Sequence, residues 1–239
     1  MKAMILAAGL GTRLKPWTDN HPKALAVVND KSLLQRNIEY LQLAGITDVV
    51  VNVHHFAGQI NNAIDENKGW GSRITISDET DTVLETGGGL QKAAWYFTGE
   101  ANFVLMNVDV LTNLPLPQMI AEHTQQAPLA TLAVTDRKTS RYFLFDEQGT
   151  LCGWRNTNTG EQKIARQSTV LIEKAFSGIH VIQHALLGLI PYQGKFSMVD
   201  VYLSLAATHV IKAYDHSGTK FIDVGKLESI VKAEALFSY

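Results

Sequence analysis

The sequence is poor in cysteine, in charge of either sign and in long apolar runs. Its 239 residues include one cysteine, Cys152, so no internal disulfide can form and a reducing compartment, the cytoplasm, is expected. The formal net charge of -2 gives no basic field for nucleic acid. No apolar run approaches the ~18 residues of a membrane-spanning helix, so we expect no membrane segment.

Several familiar catalytic and phosphate-binding motifs are also missing. A dinucleotide fingerprint needs a third glycine in G-x-G-x-x-G, and Leu14 stands in its place. The two Gly-Lys pairs, Gly194-Lys195 and Gly225-Lys226, both lack the leading glycine and the Ser or Thr of a P-loop. Neither the protein-kinase motifs nor the G-x-S-x-G nucleophile motif occurs, so a covalent intermediate is not implied.

The amino-terminal stretch joins an apolar strand to a glycine-rich, cationic loop. It begins L-A-A-G-L-G-T-R-L at Leu6. Gly9 and Gly11 remove side chains that would keep a phosphate away from backbone N–H groups. Arg13 offers a planar fork for two phosphate oxygens, and Lys23 is a point charge that can follow one oxygen through a reaction. The pattern predicts a phosphate-binding loop.

Two aspartates follow apolar segments far apart in the chain. Asn107-Val-Asp109 comes where a predicted buried strand ends, and Asp223 follows Phe221-Ile222. Each aspartate alone also fits a turn or helix-cap residue. If both emerge at the same sheet edge, they supply the one or two carboxylates that Mg²⁺ takes in addition to substrate phosphates and water.

These motifs resemble those of one enzyme family. L-A-A-G-x-G-T-R-L-x-P, followed by Pro22-Lys23, is similar to the signature of the sugar-1-phosphate nucleotidylyltransferases. The resemblance implies transfer of a nucleotidyl group from a nucleoside triphosphate to a sugar 1-phosphate, with release of pyrophosphate and with Mg²⁺ as cofactor. The expected partners are these two substrates, with no nucleic acid and no membrane, and the expected state is a monomer or homodimer.

The resemblance also assigns roles to residues. Arg13 would hold the outer phosphates and Lys23 would meet the charge growing on the α-phosphate, so both are expected to be catalytic; Asp109 and Asp223 match the metal ligands. Two further motifs, E-T-G-G-G at residues 85–89 and F-S-G-I at 176–179, match segments that contact nucleotide and sugar in relatives. The expected nucleotide-binding residues are Leu6, Ala7, Ala8, Gly9, Gly11, Thr12, Gly87, Gly88 and Asn107, and the expected sugar-binding residues are Glu173, Ser177 and Gly178.

The pattern of apolar runs and amphipathic segments predicts one α/β domain over residues 1–239. We expect a mainly parallel, Rossmann-like central sheet flanked by helices, with a nucleotide-binding half at 1–115 and a sugar-binding half at 116–239. Antiparallel strands added from about residue 130 should form the sugar pocket. The polar composition of residues 156–166 predicts a mobile loop. Predicted strands are 4–6, 49–53, 74–76, 103–106, 130–134, 142–145, 151–155 and 177–182, and predicted helices are 32–45, 56–64, 86–97, 199–208 and 227–237.

The substrates remain open within the family. E-T-G-G-G, F-S-G-I and the carboxyl-terminal D-V-G-K-L-E-S resemble the members that use UTP and N-acetylmuramate 1-phosphate, whereas residues 135–168, where relatives choose their sugar, diverge most. Mannose- or heptose-1-phosphate guanylyltransferases are alternatives, as is a catalytically weak regulatory or assembly homologue. Val108 stands where the family often has Gly or Ser, and Asn113 where it often has Asp. For Glu173, a solvated carboxylate is an equal alternative to a sugar ligand.

Overall fold

The computed structural model describes residues 1–238 of the chain. Helices separate most strands in the first half, and strands follow one another more closely in the second. The strands are β1 (Lys2–Leu6), β2 (Val27–Val28), β3 (Lys31–Ser32), β4 (Asp48–Val53), β5 (Arg73–Asp78), β6 (Asn102–Asn107), β7 (Val110–Thr112), β8 (Ala130–Thr135), β9 (Arg141–Phe145), β10 (Leu151–Asn156), β11 (Gln162–Ile164), β12 (Ile172–Gln183), β13 (Ile211–Asp215) and β14 (Phe221–Asp223). The α-helices are α1 (Leu33–Leu43), α2 (Ala57–Glu66), α3 (Glu85–Lys92), α4 (Leu116–Gln126), α5 (Met198–Leu205) and α6 (Leu227–Leu236).

The first half contributes a parallel sheet in the order β6–β1–β4–β5. β1 is buried along nearly its whole length, which is why it is a continuous apolar run and not an alternating one. Leu6, its last residue, pairs with Asn52 of β4 on one side and Asn107 of β6 on the other. The carboxyl ends of the three strands are therefore level, at the edge where open α/β sheets bind ligands.

The second half extends the same sheet with mostly antiparallel strands. β12 pairs with β6 through its carboxyl-terminal half and with β9 through its amino-terminal half. Along its other edge β12 pairs with β8, and the register shifts between Phe176 and His180. β13 joins β8 in parallel, so the sheet has ten strands. The predicted fold class, a Rossmann-like central sheet with added antiparallel strands, is confirmed.

Helices cover both faces of the sheet because alternate strand residues point to opposite sides. Ala3 and Ile5 pack into one apolar core with residues of α1, α2, α4 and α6. Met4 and Leu6 pack into the other core with residues of α3 and α5. The two cores hold β1 rigidly, and with it the start of the loop that follows.

Local capping fixes the bounds of α1 as the sequence predicted. The Ser32 side chain accepts the backbone N–H of Gln35 at 3.1 Å, which satisfies one of the unpaired donors of the first turn. Beyond the last residue of the helix, Gly45 adopts a left-handed φ of 72°, a conformation that glycine takes without steric cost. The predicted start at Ser32 and end at Gly45 are confirmed.

Several predicted elements differ in the structure. The strand predicted over 177–182 is β12, which begins at Ile172, the helix predicted over 199–208 ends at Leu205, and α4 and β13 were not predicted. The segment 156–166 is not a loop throughout, because Gln162–Ile164 forms β11, and Lys163 pairs with Trp154 of β10. All three β11 residues are exposed, so the strand carries no apolar alternation that could have revealed it. The helix predicted over 86–97 begins at Glu85 and ends at Lys92, and a 3₁₀ turn follows it.

Candidate active site

The glycine-rich loop, residues 7–14, leaves the carboxyl end of β1, and its two glycines act differently. Gly9 lines a cavity, and a methyl group added there would meet no atom within 4 Å. Gly11 has a left-handed φ of 61°, and a methyl group there would lie 3.0 Å from Cβ of Lys23. In residues 1–238, the backbone N–H groups of Gly9, Leu10 and Gly11 donate to no protein acceptor. Gly9 leaves room for a ligand, whereas Gly11 lets the loop approach Lys23.

Asn52, at the end of β4, holds the start of this loop, and sequence reasoning missed it. Its Oδ1 accepts the backbone N–H groups of Ala7 at 2.7 Å and Ala8 at 3.3 Å, and its Nδ2 donates to Oε1 of Glu79 at 2.7 Å. Asn52 and Glu79 are both buried. The N–H groups of Ala7 and Ala8 are thus already satisfied, and the free donors begin at Gly9. A polar residue inside the apolar run 49–53 was the available signal.

Two cavities open at this edge of the sheet. The first, here called the apolar cavity, has a volume of about 390 Å³ and the second, the arginine cavity, about 580 Å³. The apolar cavity is lined by Leu6, Ala7, Ala8, Gly9, Lys23, Asn52, Val83, Glu85, Thr86, Asn107, Val108, Asp109 and Ser197. The arginine cavity is lined by Arg13, Arg137, Thr139, Ser140, Arg141, Phe143, Trp154, Phe176, Val199 and Asp223.

A short antiparallel ladder brings Asp109 and Asp223 together. β7 starts directly after Asp109, and Val110 pairs with Asp223 of β14. The backbone N–H of Val224 donates to the carbonyl of Asp109 at 2.8 Å. Since Asp109 lines the apolar cavity and Asp223 lines the arginine cavity, the two cavities meet at this pair of carboxylates.

Cations surround the carboxylate pair. Lys23 forms an ion pair with Asp109, and their side chains are 10% and 17% exposed. Desolvation by the surrounding protein, and next the charge of Asp109, raise the pKa of Asp223, although Lys23, Arg13 and Arg137 oppose the shift. A methyl group at Gly225 would lie 2.8 Å from Nη2 of Arg13 and 2.7 Å from Oδ1 of Asp223, so these two side chains flank that glycine.

The donor set fits a magnesium ion. Within residues 1–238, no cluster of three or more His, Cys, Asp or Glu side chains could hold a metal, which argues against a closed site of the zinc type. Mg²⁺ binds through one or two carboxylates together with substrate phosphates and water. Asp109 and Asp223 lie together between two ligand-sized cavities, so they provide that kind of open site.

Gly87 and Gly88 serve a packing role at the start of α3. Their N–H groups both donate to the carbonyl of Phe196, at 2.9 and 3.2 Å. A methyl group at Gly87 would lie 2.5 Å from the Phe196 ring, and one at Gly88 would lie 2.1 Å from the carbonyl oxygen of Gly194. The neighbouring Glu85 and Thr86 line the apolar cavity instead. Nucleotide contact by Gly87 and Gly88 stays a prediction.

Glu173 and Ser177 of β12 are engaged with other protein groups. Oε1 of Glu173 accepts from Nη1 of Arg155 at 2.6 Å. Ser177 is buried, and its hydroxyl is hydrogen-bonded to Nε2 of His216 at 2.8 Å. Neither residue lines the two cavities, so their predicted contact with a sugar has no support from this geometry.

Gly178 acts through Asn107. It has a φ of 73°, and a methyl group there would lie 2.8 Å from Nδ2 of Asn107. Asn107 lines the apolar cavity, as expected for a nucleotide-binding residue. Gly178 itself lies outside the lining of both cavities, as do Gly11 and Thr12. Glycine at 178, within the register shift of β12, therefore leaves space for the Asn107 side chain at the end of β6.

The two departures from the family pattern have different consequences. Val108 is 5% exposed and contributes an apolar wall to the apolar cavity. Asn113 lies outside both cavities, and its Oδ1 accepts the backbone N–H of Lys220 at 2.7 Å, directly before β14. Asn113 therefore supports the ladder that positions the carboxylates.

Comparison of the sequence with known proteins identifies its family. Residues 2–147 match the family model described as nucleotidyl transferase. The chain is 32% identical over 98% of its length to a protein of Caulobacter vibrioides named N-acetylmuramate alpha-1-phosphate uridylyltransferase, of which it covers 95%. The chain belongs to the sugar-1-phosphate nucleotidylyltransferases. A Neisseria meningitidis protein of the same name is 38% identical over 52% of this chain and 57% of its own length.

Solved structures share the fold of this nucleotidylyltransferase. HddC from Yersinia pseudotuberculosis, crystallised with GMP-PN, superposes with a TM-score of 0.79 over 99% of both chains at 22% identity. A putative glucose-1-phosphate thymidylyltransferase from Bacillus anthracis gives a TM-score of 0.83 at 18% identity, over 99% of this chain and 94% of its own. Within residues 1–238, no helix combines the length and apolarity that crossing a bilayer requires.

Alanine at Gly9 and Gly11 should separate ligand binding from folding. Gly9→Ala should leave thermal unfolding unchanged and raise the KM for the nucleoside triphosphate, because its methyl group occupies cavity space. Gly11→Ala should cost about 1–2 kcal/mol of stability for the left-handed backbone alone. Melting temperatures and pyrophosphate-release kinetics check both. Early unfolding of Gly9→Ala with a normal KM would contradict the assignment.

Proposed function

We propose that this enzyme transfers a uridylyl group from UTP to N-acetylmuramate 1-phosphate in a Mg²⁺-dependent reaction that also yields pyrophosphate. The observation that supports the reaction type is the meeting of two cavities at Asp109, Asp223 and Lys23. The observation that supports the substrates is the similarity over 98% of the chain to a relative named for them.

The nucleotide is assigned to the apolar cavity. That cavity lies at the carboxyl ends of β1, β4 and β6 and includes Gly9, where free N–H groups begin. Its other side is formed by Glu85 and Thr86, at the start of α3. The sugar 1-phosphate is assigned to the arginine cavity, whose guanidinium groups match phosphate oxygens.

The protein acts mainly by alignment and charge neutralisation. The attacking phosphate oxygen of the sugar 1-phosphate is already anionic, so no general base is needed. Arg13 flanks Asp223, at the pair of carboxylates where the two cavities meet, and from there it can hold the nucleotide phosphates that leave. Lys23 lies beside Asp109 to meet charge that grows on the α-phosphate. When bound, Mg²⁺ would be held by Asp109 and Asp223 and would supply Lewis-acid neutralisation of phosphate charge.

A guanylyl reaction is the second candidate. A Xenopus laevis protein named mannose-1-phosphate guanyltransferase beta-A is 26% identical over 99% of this chain, although the chain covers 64% of that protein. This similarity is lower than the similarity to the uridylyl relative and extends over a smaller share of the relative's length.

A substrate panel tests the proposal. UTP and GTP are each paired with N-acetylmuramate 1-phosphate and mannose 1-phosphate at one Mg²⁺ concentration, and pyrophosphate release is followed. We expect kcat/KM to favour UTP by roughly a hundredfold, since two buried hydrogen-bond mismatches with the wrong base cost about 1–3 kcal/mol each. A GTP-to-UTP ratio above one would replace the uridylyl assignment with the guanylyl one.

A further inference from the structure

We propose that Arg137 and Arg141 form a carboxylate-binding subsite that selects a sugar 1-phosphate with an acidic substituent on its ring. The inference rests on the proposed function and adds a specificity site to it. Both residues line the arginine cavity, in the segment where the family resemblance is weakest and where no family motif assigns a role.

The charge of the arginine cavity can serve a second anionic group. Three guanidinium groups and one carboxylate, Asp223, give its lining a net charge of +2, and Lys23 and a Mg²⁺ ion held by the two aspartates would add to the charge that meets the sugar phosphate. Arg13 flanks Asp223 and belongs to the phosphate end of the cavity. Arg137 and Arg141 remain, and a neutral sugar ring would offer them no anionic partner.

Arg137 is held in place before any ligand binds. Its Nη2 donates to the carbonyl of Phe176 at 2.6 Å, and its guanidinium lies 5.0 Å from the centre of the Phe221 ring. Both contacts fix the plane of the group. A guanidinium that is already positioned loses little conformational freedom when it binds a carboxylate.

Arg141 has a guanidinium that is unpaired among residues 1–238 and shares the cavity lining with aromatic side chains. Within the described chain, its guanidinium has no protein hydrogen-bond or ion-pair partner, although it lines the cavity. Alternation along β9 places Arg141 and Phe143 on one face, and Phe143 pairs with Trp154 of β10. Phe176 adds a third ring, 5.6 Å from that of Phe143. Aromatic surface and an unpaired charge in one cavity lining suit a sugar ring with an acidic substituent.

A carboxylate is the partner group expected for these arginines, because the proposed sugar substrate carries no second phosphate and its hydroxyl groups are neutral. A guanidinium can donate two parallel hydrogen bonds to one carboxylate, and such charged bonds are about twice as strong as neutral ones. N-acetylmuramate 1-phosphate carries a carboxylate on its lactyl ether, and N-acetylglucosamine 1-phosphate lacks that ether. The two sugars therefore differ in the carboxylate that this subsite would bind.

Arg141→Gln tests the subsite without disturbing the fold, because this exposed side chain makes no hydrogen bond or ion pair within the described residues that the change would remove. With UTP at saturation, we measure kcat and KM for N-acetylmuramate 1-phosphate and for N-acetylglucosamine 1-phosphate. The ratio of the two kcat/KM values should fall by about 10- to 100-fold in the variant, chiefly through the KM of the acidic sugar. Arg141→Lys should restore only part of the ratio, because it keeps the charge and loses the fork.

Lys138→Gln is the matched control, since it removes the same charge from the same exposed segment outside the cavity lining and should leave the ratio unchanged. An equal loss with both sugars, or a raised KM for UTP, would show that the arginines bind phosphate and would overturn the inference. If the wild-type enzyme uses neither amino sugar, the proposed function fails separately. Glucuronate 1-phosphate and glucose 1-phosphate then form the acidic and neutral pair for the same test, and an unchanged ratio there overturns the subsite.

Discussion

Asp109→Asn and Asp223→Asn should each lower kcat/KM by about 10³-fold, corresponding to about 4 kcal/mol of lost transition-state stabilisation. Each change removes one of the two carboxylates that the β7–β14 ladder brings together. An amide is a weak ligand for Mg²⁺ and leaves the metal with a single carboxylate. Steady-state pyrophosphate release, measured over a series of Mg²⁺ concentrations, gives the loss and its dependence on metal.

The same two variants should differ in stability in metal-free buffer near neutral pH. A carboxyl group whose pKa is raised in the folded state destabilises the fold once it is ionised, so removing the charge of Asp223 should raise the melting temperature. Asp109→Asn should lower it, because the largely buried Lys23 then loses its ion-pair partner. Asp65→Asn, on the exposed side of α2, is the control and should change neither activity nor melting. Near-wild-type turnover by either site variant would refute the metal assignment.

The sequence was sufficient for features that depend on local pattern. A short run of apolar residues followed by closely spaced glycines marks a buried strand and its loop, and β1 with Gly9 and Gly11 follows that pattern. The bounds of α1 were equally local, since Ser32 and Gly45 act on the backbone of that helix within a few residues. Such local signals can be recognised in the sequence without knowledge of the tertiary fold.

Features set by strand register were out of reach. Asn52 contacts Ala7 and Ala8 only because β4 lies beside β1 in one particular alignment. The order of motifs suggested that Asp109 and Asp223 share a site, but the ladder that joins them comes from pairing between short strands far apart in sequence. A one-residue change of register would have separated these groups.

The residues that line the arginine cavity also could not be predicted from the sequence. Arg137 and Arg141 belong to a stretch with no family motif, and neither has a distinctive sequence context. They line one cavity because β9, β10 and β12 pair in one antiparallel layer, which brings Arg141 and the aromatic rings beside the segment that carries Arg137. Recognition sites that are assembled from several strands leave little trace in any one segment.

Lys23→Ala should lower kcat by roughly 10²–10³-fold, the scale of losing one preorganised donor to an oxyanion. Lys23 is buried, pairs with Asp109 and, like Asp109, lines the apolar cavity, so its charge is already positioned where the α-phosphate would react. Charge on that phosphate grows only in the transition state, and for that reason kcat should fall far more than the KM for the triphosphate rises. Single-turnover rates, measured with saturating nucleotide, separate the chemical step from product release.

Lys23 also competes with a metal ion for the carboxylate of Asp109, and this gives the prediction a second readout. Removing the lysine leaves Asp109 and Asp223 as a pair of neighbouring anions, so the Mg²⁺ concentration for half-maximal rate should fall even as kcat drops. Lys23→Met, which keeps most of the side-chain volume, should behave as Lys23→Ala does and so excludes a cavity effect. Lys15→Ala removes an exposed charge that is paired with Asp19 and should leave both quantities unchanged. A raised triphosphate KM with kcat intact would instead show that Lys23 binds the ground state and takes no part in the chemical step.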